Sequence, residues 1–210
     1  MDALILVDLQ YDFMPGGALA VRDGDSVVSV ANRLMSAFDV IVATQDWHPA
    51  DHASFAANHP GHEIGEMITL DGREQILWPL HCVQNTRGAE LHQALDATPI
   101  TKVIHKGMNP RIDSYSGFFD NARAQETGLD RELKSRGVKV LTVLGLATDY
   151  CVKFTVLDAL SLGYNVRLVI DGCRGVDLRE GDVDRAISTM QSNGAQVETS
   201  EQIMKSIVNQ

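Results

Sequence analysis

The 210-residue sequence contains little cysteine, few aromatic residues and no excess of positive charge. Three cysteines are an odd number in a chain large enough to bury a core, so we expect reduced thiols rather than a disulfide framework. A formal net charge of −10 argues against nucleic acid or an anionic membrane as partner. The apolar run at 3–7 is interrupted by Asp8, unlike a signal peptide or membrane span. These absences favour a cytoplasmic protein that binds a small neutral or cationic molecule.

Predicted strands and helices alternate along the chain. Short apolar runs rich in β-branched residues indicate buried strands, and apolar positions three and four apart indicate helices. Gly137, Gly163 and Gly194 each follow a predicted helix, where a left-handed residue commonly ends it. This alternation predicts an α/β fold with a parallel sheet covered on both faces. The predicted strands are 3–7, 40–44, 101–105, 138–144, 166–170 and 196–198, and the predicted helices are 25–38, 88–95, 129–136, 150–162 and 183–192.

Reactive side chains follow the predicted strands. Residues 45–80 lack periodicity and are too many for a plain connection, so we expect a functional excursion above the sheet. Ligands of parallel α/β folds bind beyond the carboxyl ends of the strands. Asp8, Asp46, Lys106 and Cys151 lie at or after four of these ends. A carboxylate, an ammonium and a thiol are therefore expected to meet on one rim.

Cys151 lies where the segment VKVLTVLGLATDYCVKFTVLDAL turns from a buried strand into a helix. Free N–H groups of a first helical turn, together with the ammonium of Lys106, favour a thiolate and can hold an oxyanion. Asp8 is the candidate proton carrier, which requires burial or coupling to raise its pKa. His105 is the rival base. Strand alternation points it away from Lys106, so we favour Lys106 and expect His105 in the core or under a helix.

Two segments stiffened by proline carry residue types that bind metals. In DWHPADH, residues i and i+2 of an extended backbone face the same way, so Asp46 and His48 can share one ion. His81, in WPLHC, is the candidate third ligand, and this set suits zinc, iron(II) or manganese. His52 is the candidate fourth ligand. Asp51 and His59 are weaker candidates, Cys82 is expected to point away, and His62, His92 and Cys173 are expected to be structural.

Five ordered motifs carry a family resemblance: VDLQYDF followed by glycines 16–17, TQDWHPADHASF, WPLHCVQNTRGAEL, HKGMNPRIDSYSGF and GLATDYCVKFT. With them, the chain resembles the nicotinamidases (pyrazinamidases) of the isochorismatase-like cysteine hydrolase superfamily over essentially its whole length. The resemblance implies a Rossmann-like, three-layer α/β/α domain over 1–210, with a mostly parallel, roughly six-stranded sheet and a metal-binding excursion at about 45–82. It implies a catalytic triad of Asp8, Lys106 and Cys151 and a metal site, most simply for Zn²⁺, at Asp46, His48 and His81.

The reaction implied by the resemblance is hydrolysis of nicotinamide to nicotinate and ammonia through a thioester on Cys151. Asp8 would take the thiol proton and later give it to ammonia, while the metal would hold the pyridine nitrogen. The family's oxyanion site falls at the N–H groups of Ala147 and Cys151, with a cis peptide bond between Leu146 and Ala147.

The resemblance also implies an aromatic pocket for the pyridine ring. Phe13 and Trp78 are its expected walls, and Tyr115 is a further candidate for the lining, with core packing as the plain alternative. Pyrazinamide is an expected second substrate. Neither nucleic acid nor a membrane is an expected partner, and assembly into a homo-oligomer is left open.

Two other functions compete with hydrolysis of an amide attached to a pyridine ring. The same thiol mechanism can serve another amide, a carbamoyl group or a vinyl ether, although relatives with those substrates lack the Asp46, His48 and His81 set. A non-catalytic metal or redox protein would use Cys151 as an oxidation sensor, which requires a resolving thiol and leaves Asp8 and Lys106 unexplained. Ammonia release from nicotinamide distinguishes the three.

Overall fold

Eight strands run through the described part of the chain, and six of them form one parallel sheet. The computed structural model describes residues 1–208, so the last two residues of the predicted domain lie outside it. The strands are β1 (Asp2–Val7), β2 (Val40–Asp46), β3 (Met67–Leu70), β4 (Arg73–Ile76), β5 (Lys102–Lys106), β6 (Val140–Leu146), β7 (Asn165–Arg174) and β8 (Gln196–Glu198). The sheet order is β5-β2-β1-β6-β7-β8, whereas β3 and β4 form a separate antiparallel hairpin. The predicted fold class is confirmed.

Helices flank the sheet and bury its central strands. They are α1 (Ser26–Met35), α2 (Leu129–Ser135), α3 (Lys153–Ser161), α4 (Asp182–Ser192) and α5 (Ser200–Val208). Every residue of β2, and every residue of β1 after Asp2, is buried, which requires cover on both faces because strand side chains alternate. Each fully buried leucine or isoleucine of this core contributes about 1.5–3 kcal/mol. Within residues 1–208, no helix is both long enough and apolar enough to cross a bilayer.

The helix predicted at 88–95 is wrong. The chain forms only a short 3₁₀ turn at Arg87–Ala89 and then runs alongside the segment that follows β1. The N–H of Tyr11 donates to the carbonyl of Glu90, and the N–H of His92 donates to that of Leu9. These hydrogen bonds between two distant segments use the backbone N–H and carbonyl groups that a helix at 88–95 would need.

Two elements were not predicted, although the sequence carries a signal for each. The β3–β4 hairpin turns at Asp71-Gly72, both with positive φ, and an Asp-Gly pair is a strong hairpin signal. Helix α5 begins at Ser200, directly after Thr199, whose hydroxyl caps the helix by accepting from the N–H of Gln202 at 3.3 Å, and it continues with apolar residues at helical spacing. Strand β7 also runs to Arg174, four residues past its predicted end.

Candidate active site

Four strands bring the predicted reactive residues to one edge of the sheet. Asp8 directly follows β1, Asp46 and Lys106 are the last residues of β2 and β5, and Cys151 lies in the turn after β6. Asp46 and Lys106 are also paired in register across the two strands. Because parallel strands end at the same edge, side chains distant in sequence meet there. The sheet alone thus gathers a thiol, an ammonium and two carboxylates.

Lys106 lies at the centre of this cluster with its side chain fully buried. Its Nζ donates to Asp46 Oδ1, to the Ser114 carbonyl at 3.0 Å and to Cys151 Sγ at 3.3 Å, and it lies 2.9 Å from Asp8 Oδ2. Burial alone would lower the pKa of Lys106, but the two carboxylates outweigh it and hold the pKa well above its usual range. Lys106 is therefore held as an ammonium, which suits a counter-charge better than a base.

Asp8 is fully buried beside Lys106 and has a backbone φ of 51°. The Thr44 hydroxyl donates to Asp8 Oδ1 at 2.6 Å and accepts from the Asp8 N–H at 3.2 Å. Burial raises the pKa of Asp8, and the nearby Lys106 ammonium offsets only part of that rise. The carboxylate thus meets the condition set by the sequence, which is a pKa above that of an ordinary aspartate.

Cys151 lies in a π-helical turn at Thr148–Val152, and the regular helix α3 begins only at Lys153. The turn follows a cis peptide bond between Leu146 and Ala147, as the family resemblance implies. Burial raises the pKa of Cys151 well above its usual range, and the neighbouring carboxylates raise it further, against the opposing effect of the ammonium. The direction of this shift favours the thiol form of the sulfur, opposite to the thiolate stabilisation expected from the helix terminus and Lys106.

Three donor atoms converge beside Lys106 in a manner suited to a metal ion. Asp46 Oδ2 lies 3.6 Å from His48 Nε2 and 3.7 Å from His81 Nε2. His48 Nδ1 is 2.9 Å from the Gly107 carbonyl, and His81 Nδ1 is 2.8 Å from the Pro79 carbonyl. A carbonyl can only accept, so each Nδ1 carries a proton, and in the neutral ring Nε2 keeps the lone pair that a metal ion would take. Such donors can be bridged by an ion about 2.1 Å from each.

Asp46 connects this cluster to the reactive group because its two carboxylate oxygens face different partners. Oδ1 receives the Lys106 ammonium and Oδ2 faces the histidines. Burial by itself raises the pKa of Asp46, but Lys106 and His48 together hold it well below its usual range. The residue is therefore a carboxylate, as metal ligation requires.

His52 neighbours the cluster through His48, with 4.4 Å between the two ring centroids. Its Nδ1 is 2.7 Å from Ser54 Oγ, and its buried Nε2 has no hydrogen-bond partner among the described residues. Burial lowers the pKa of His52 to about 4, so the ring is neutral near pH 7. A ligand atom of His52 lies within 4.8 Å of ligand atoms of His48 and Asp113, and His52 is not part of the group formed by Asp46, His48 and His81.

The weaker ligand candidates lie elsewhere. Asp51 is exposed, the ring of His59 contacts the Ala53 carbonyl, and the thiol of Cys82 lies 3.8 Å from the Gly88 carbonyl. His105 is stacked on Trp47 with 4.5 Å between ring centroids. It is partly exposed on the edge strand β5, rather than in the core or under a helix as expected.

A pocket of about 350 Å³ opens over Cys151, between the reactive group and the ligand cluster. Phe13, Trp78, Tyr115 and Ala147, the predicted substrate-binding residues, all line it. The indole N–H of Trp78 donates to the Tyr115 hydroxyl at 3.1 Å, which fixes two of the aromatic walls against each other. Cys151 and Asp46 also reach this pocket, so a bound ring would face both of them.

The sequence did not identify four other lining residues: Leu19, Asp113, Tyr150 and Val176. Tyr150 precedes the cysteine in its turn, and its ring packs edge-on against Trp78 with 4.9 Å between centroids. Val176 follows β7, whose end was predicted four residues too early. A correct strand end would have placed Val176 among the rim residues.

Comparisons with known proteins match nearly the whole chain. A model of the isochorismatase domain matches residues 2–202. A nicotinamidase of Escherichia coli is 55% identical over 201 residues, 94% of this chain and 94% of that protein. The nicotinamidase/pyrazinamidase structure of Acinetobacter baumanii has a TM-score of 0.93 and 44% identity, with 96% of this chain and 97% of that chain covered. The pyrazinamidase of Pyrococcus horikoshii, solved in complex with zinc, has a TM-score of 0.78 and 38% identity, with 94% and 98% covered.

Proposed function

The chain belongs to the nicotinamidases of the isochorismatase family, and from that membership we propose that it hydrolyses nicotinamide through a thioester on Cys151. The products are nicotinate and ammonia. We further propose that Asp8 and Lys106 complete the catalytic group, and that Asp46, His48 and His81 hold one divalent metal ion. Pyrazinamide, which carries the same carboxamide on a related ring, is a proposed second substrate, and the proposed compartment is the cytoplasm.

The observation that carries this proposal is the double contact of Asp46. One oxygen of its carboxylate receives Lys106, which also contacts the Cys151 sulfur at 3.3 Å, and the other faces two histidine Nε2 atoms. A metal ion held there would offer a ring nitrogen a binding point beside the Cys151 thiol, and one aromatic-walled pocket lies over both. A substrate with an aromatic nitrogen and a carboxamide on one small ring matches that pairing.

The first half of the reaction forms the thioester. Cys151 Sγ attacks the amide carbon as its proton passes to the Asp8 carboxylate, and the carbonyl oxygen takes up negative charge. N–H groups of Ala147 and Cys151 are the proposed donors to that oxygen. When the carbon–nitrogen bond breaks, Asp8 returns the proton to the nitrogen, which leaves as ammonia.

The second half of the reaction releases the acid. A water molecule gives its proton to Asp8 and attacks the thioester carbon, and the carbon–sulfur bond then breaks. The departing sulfur takes the proton back from Asp8, so Cys151 is again a thiol. The product acid gives its remaining proton to solvent and leaves as nicotinate. Lys106 keeps its proton throughout and balances the charge that moves between the carboxylate and the sulfur.

A divalent ion held by Asp46, His48 and His81 would supply a binding point for the pyridine nitrogen and so position the ring. Zinc is the proposed ion because two neutral imidazoles and one carboxylate are a set it commonly takes. The rigid Nδ1 contacts of both histidines support this assignment, since they fix the rings with Nε2 directed inward.

Ammonia release tests the proposed function. Purified protein loaded with zinc is offered nicotinamide, pyrazinamide, benzamide and an N-carbamoyl amino acid, with and without a chelator. We expect ammonia from the two ring amides that carry a meta ring nitrogen, little from benzamide, and a loss of activity on chelation. Absence of ammonia from nicotinamide, while Cys151 still reacts with a thiol reagent, would contradict the proposal. Equal turnover of benzamide would contradict the role of the ring nitrogen.

A further inference from the structure

Gln10 is completely buried against the backbone of Asp46, the residue shared by the reactive group and the ligand cluster, and it does not line the pocket. Its side-chain amide makes two bonds to the backbone of a single residue. Gln10 Oε1 accepts from the N–H of Asp46 at 2.8 Å, and Gln10 Nε2 donates to the carbonyl of Asp46 at 2.8 Å. The polarity of those backbone groups fixes the amide orientation, since the oxygen must face the N–H.

This pair of hydrogen bonds lies where β2 no longer has a neighbouring strand. β1 pairs with β2 only as far as Leu6 opposite Ala43, because the chain then leaves the sheet at Asp8. Past that point, side chains replace the missing strand. Thr44 is bonded to Asp8, and the Gln10 amide takes the position that a backbone peptide group of β1 would hold against Asp46.

The opposite edge of Asp46 is held by β5. Asp46 is in register with Lys106, and the N–H of Trp47 donates to the Lys106 carbonyl at 2.9 Å. With Gln10 on one side and β5 on the other, the backbone of Asp46 has no freedom to rotate. Its two carboxylate oxygens serve different partners, so a small rotation would disturb the ammonium contact and the histidine contacts together.

Gln10 also connects this point to the 3₁₀ turn at Arg87–Ala89, which follows the excursion that carries His81. Its Nε2 donates to the Ala89 carbonyl at 2.8 Å, and Gln45 Nε2 donates to the same oxygen at 2.8 Å. The Gln45 side chain makes no hydrogen bond to the backbone of Asp46. The two glutamines therefore share the Ala89 carbonyl as an acceptor, but only Gln10 makes the pair of hydrogen bonds to Asp46. Comparing the two residues separates support of the 3₁₀ turn from positioning of Asp46.

We infer that Gln10 is a positioning residue that fixes Asp46 as a metal ligand and as the partner of Lys106. The inference rests on the metal site of the proposed function. Removing a group that orients a ligand typically costs 10- to 100-fold in metal affinity. Gln10→Ala is therefore expected to weaken zinc binding by about 10-fold or more.

The test measures the zinc dissociation constant by competition with a chromophoric chelator, without any assay of turnover. The variants are Gln10→Ala, Gln10→Met, which keeps the side-chain volume if the alanine variant does not fold, and Gln45→Ala as the matched control. We expect both Gln10 variants to lose affinity and Gln45→Ala to stay within about 2-fold of wild type. Thermal unfolding of the metal-free proteins shows whether each variant is folded.

Two results would overturn the inference. One is unchanged zinc affinity in a folded Gln10 variant, and the other is an equal loss of affinity in Gln45→Ala. Wild-type ammonia release is recorded on the same preparations. If wild type releases no ammonia while the Gln10 variants still lose zinc, the proposed function fails and the positioning role stands.

Discussion

At the residue scale, the buried charges of the reactive group do not cancel. The Lys106 ammonium faces the carboxylates of Asp8 and Asp46, so with both carboxylates ionised and no metal ion bound, one net negative charge remains in this buried site. Burial raises the pKa of Cys151, and the carboxylates of Asp8 and Asp46 raise it further, although the Lys106 ammonium lies 3.3 Å away. A proton that passes from sulfur to Asp8 leaves the total charge unchanged, so the site favours transfer between these two groups over release of the proton to solvent.

Thr44→Val should therefore move the acid limb of the pH profile. The Thr44 hydroxyl stabilises the ionised form of Asp8 and so lowers its pKa, which burial otherwise raises. Without that hydrogen bond the pKa of Asp8 rises, and the ionised form needed for catalysis is lost at a higher pH as the solution is acidified. We expect kcat/KM against pH to show its acid limb displaced upward by up to about one unit.

Thr142→Val is the matched control for that variant. Thr142 is also a fully buried threonine of the central sheet, but its hydroxyl has no hydrogen-bond partner among the described residues. Its profile should coincide with that of wild type. An acid limb that does not move in Thr44→Val would contradict the assignment of Asp8 as the group that must be ionised.

At the element scale, the turn after β6 and the loop after β7 form one unit around the pocket. Asp149 accepts from the N–H of Val176 at 2.9 Å and from the N–H of Asp177 at 2.8 Å. A Cβ at Gly175 would lie 2.1 Å from a methyl group of Val183, so the loop needs glycine to pass this close. The carboxylate beside the nucleophile thus holds Val176, a wall of the pocket, in place.

Asp149→Asn should loosen that unit. Its amide offers one acceptor oxygen, so one backbone N–H faces an NH₂ group and loses its bond, at a cost of about 1–3 kcal/mol. We expect kcat/KM for nicotinamide to fall about 10-fold, mainly through KM, because the pocket wall moves away from the ring.

Asp171→Asn provides the control, measured by the same steady-state kinetics and by thermal unfolding. Asp171 also accepts two hydrogen bonds, both from Ser200 at the start of α5, and it does not line the pocket. It should lower stability while leaving kcat/KM near wild type. An equal kinetic loss in both variants would mean that Asp149 acts only through overall stability.

At the scale of the whole molecule, the sequence predicted the sheet well because its strands are continuous apolar runs. The sequence pattern predicted the alternation of β1, α1 and β2 and that of β6, α3 and β7. It also predicted the reactive residues at four strand ends. What could not be read depends on contacts between distant segments. Residues 88–95 are hydrogen-bonded to the chain after β1, and the pair of hydrogen bonds from Gln10 to Asp46 joins positions 36 apart. Likewise, burial and two carboxylates raise the pKa of Cys151, which no local sequence pattern shows.

The central claim is that the metal ligands hold the substrate while Cys151 performs the chemistry. Calorimetric titration of nicotinamide into zinc-loaded Cys151→Ala and His48→Ala tests it most directly, with turnover measured on the same samples. We expect Cys151→Ala to bind within about 3-fold of wild type without releasing ammonia, since the thiol adds little to ground-state binding. We expect His48→Ala to bind at least about 10-fold more weakly. Equal loss of binding in both variants, or undiminished binding in His48→Ala, would contradict the claim.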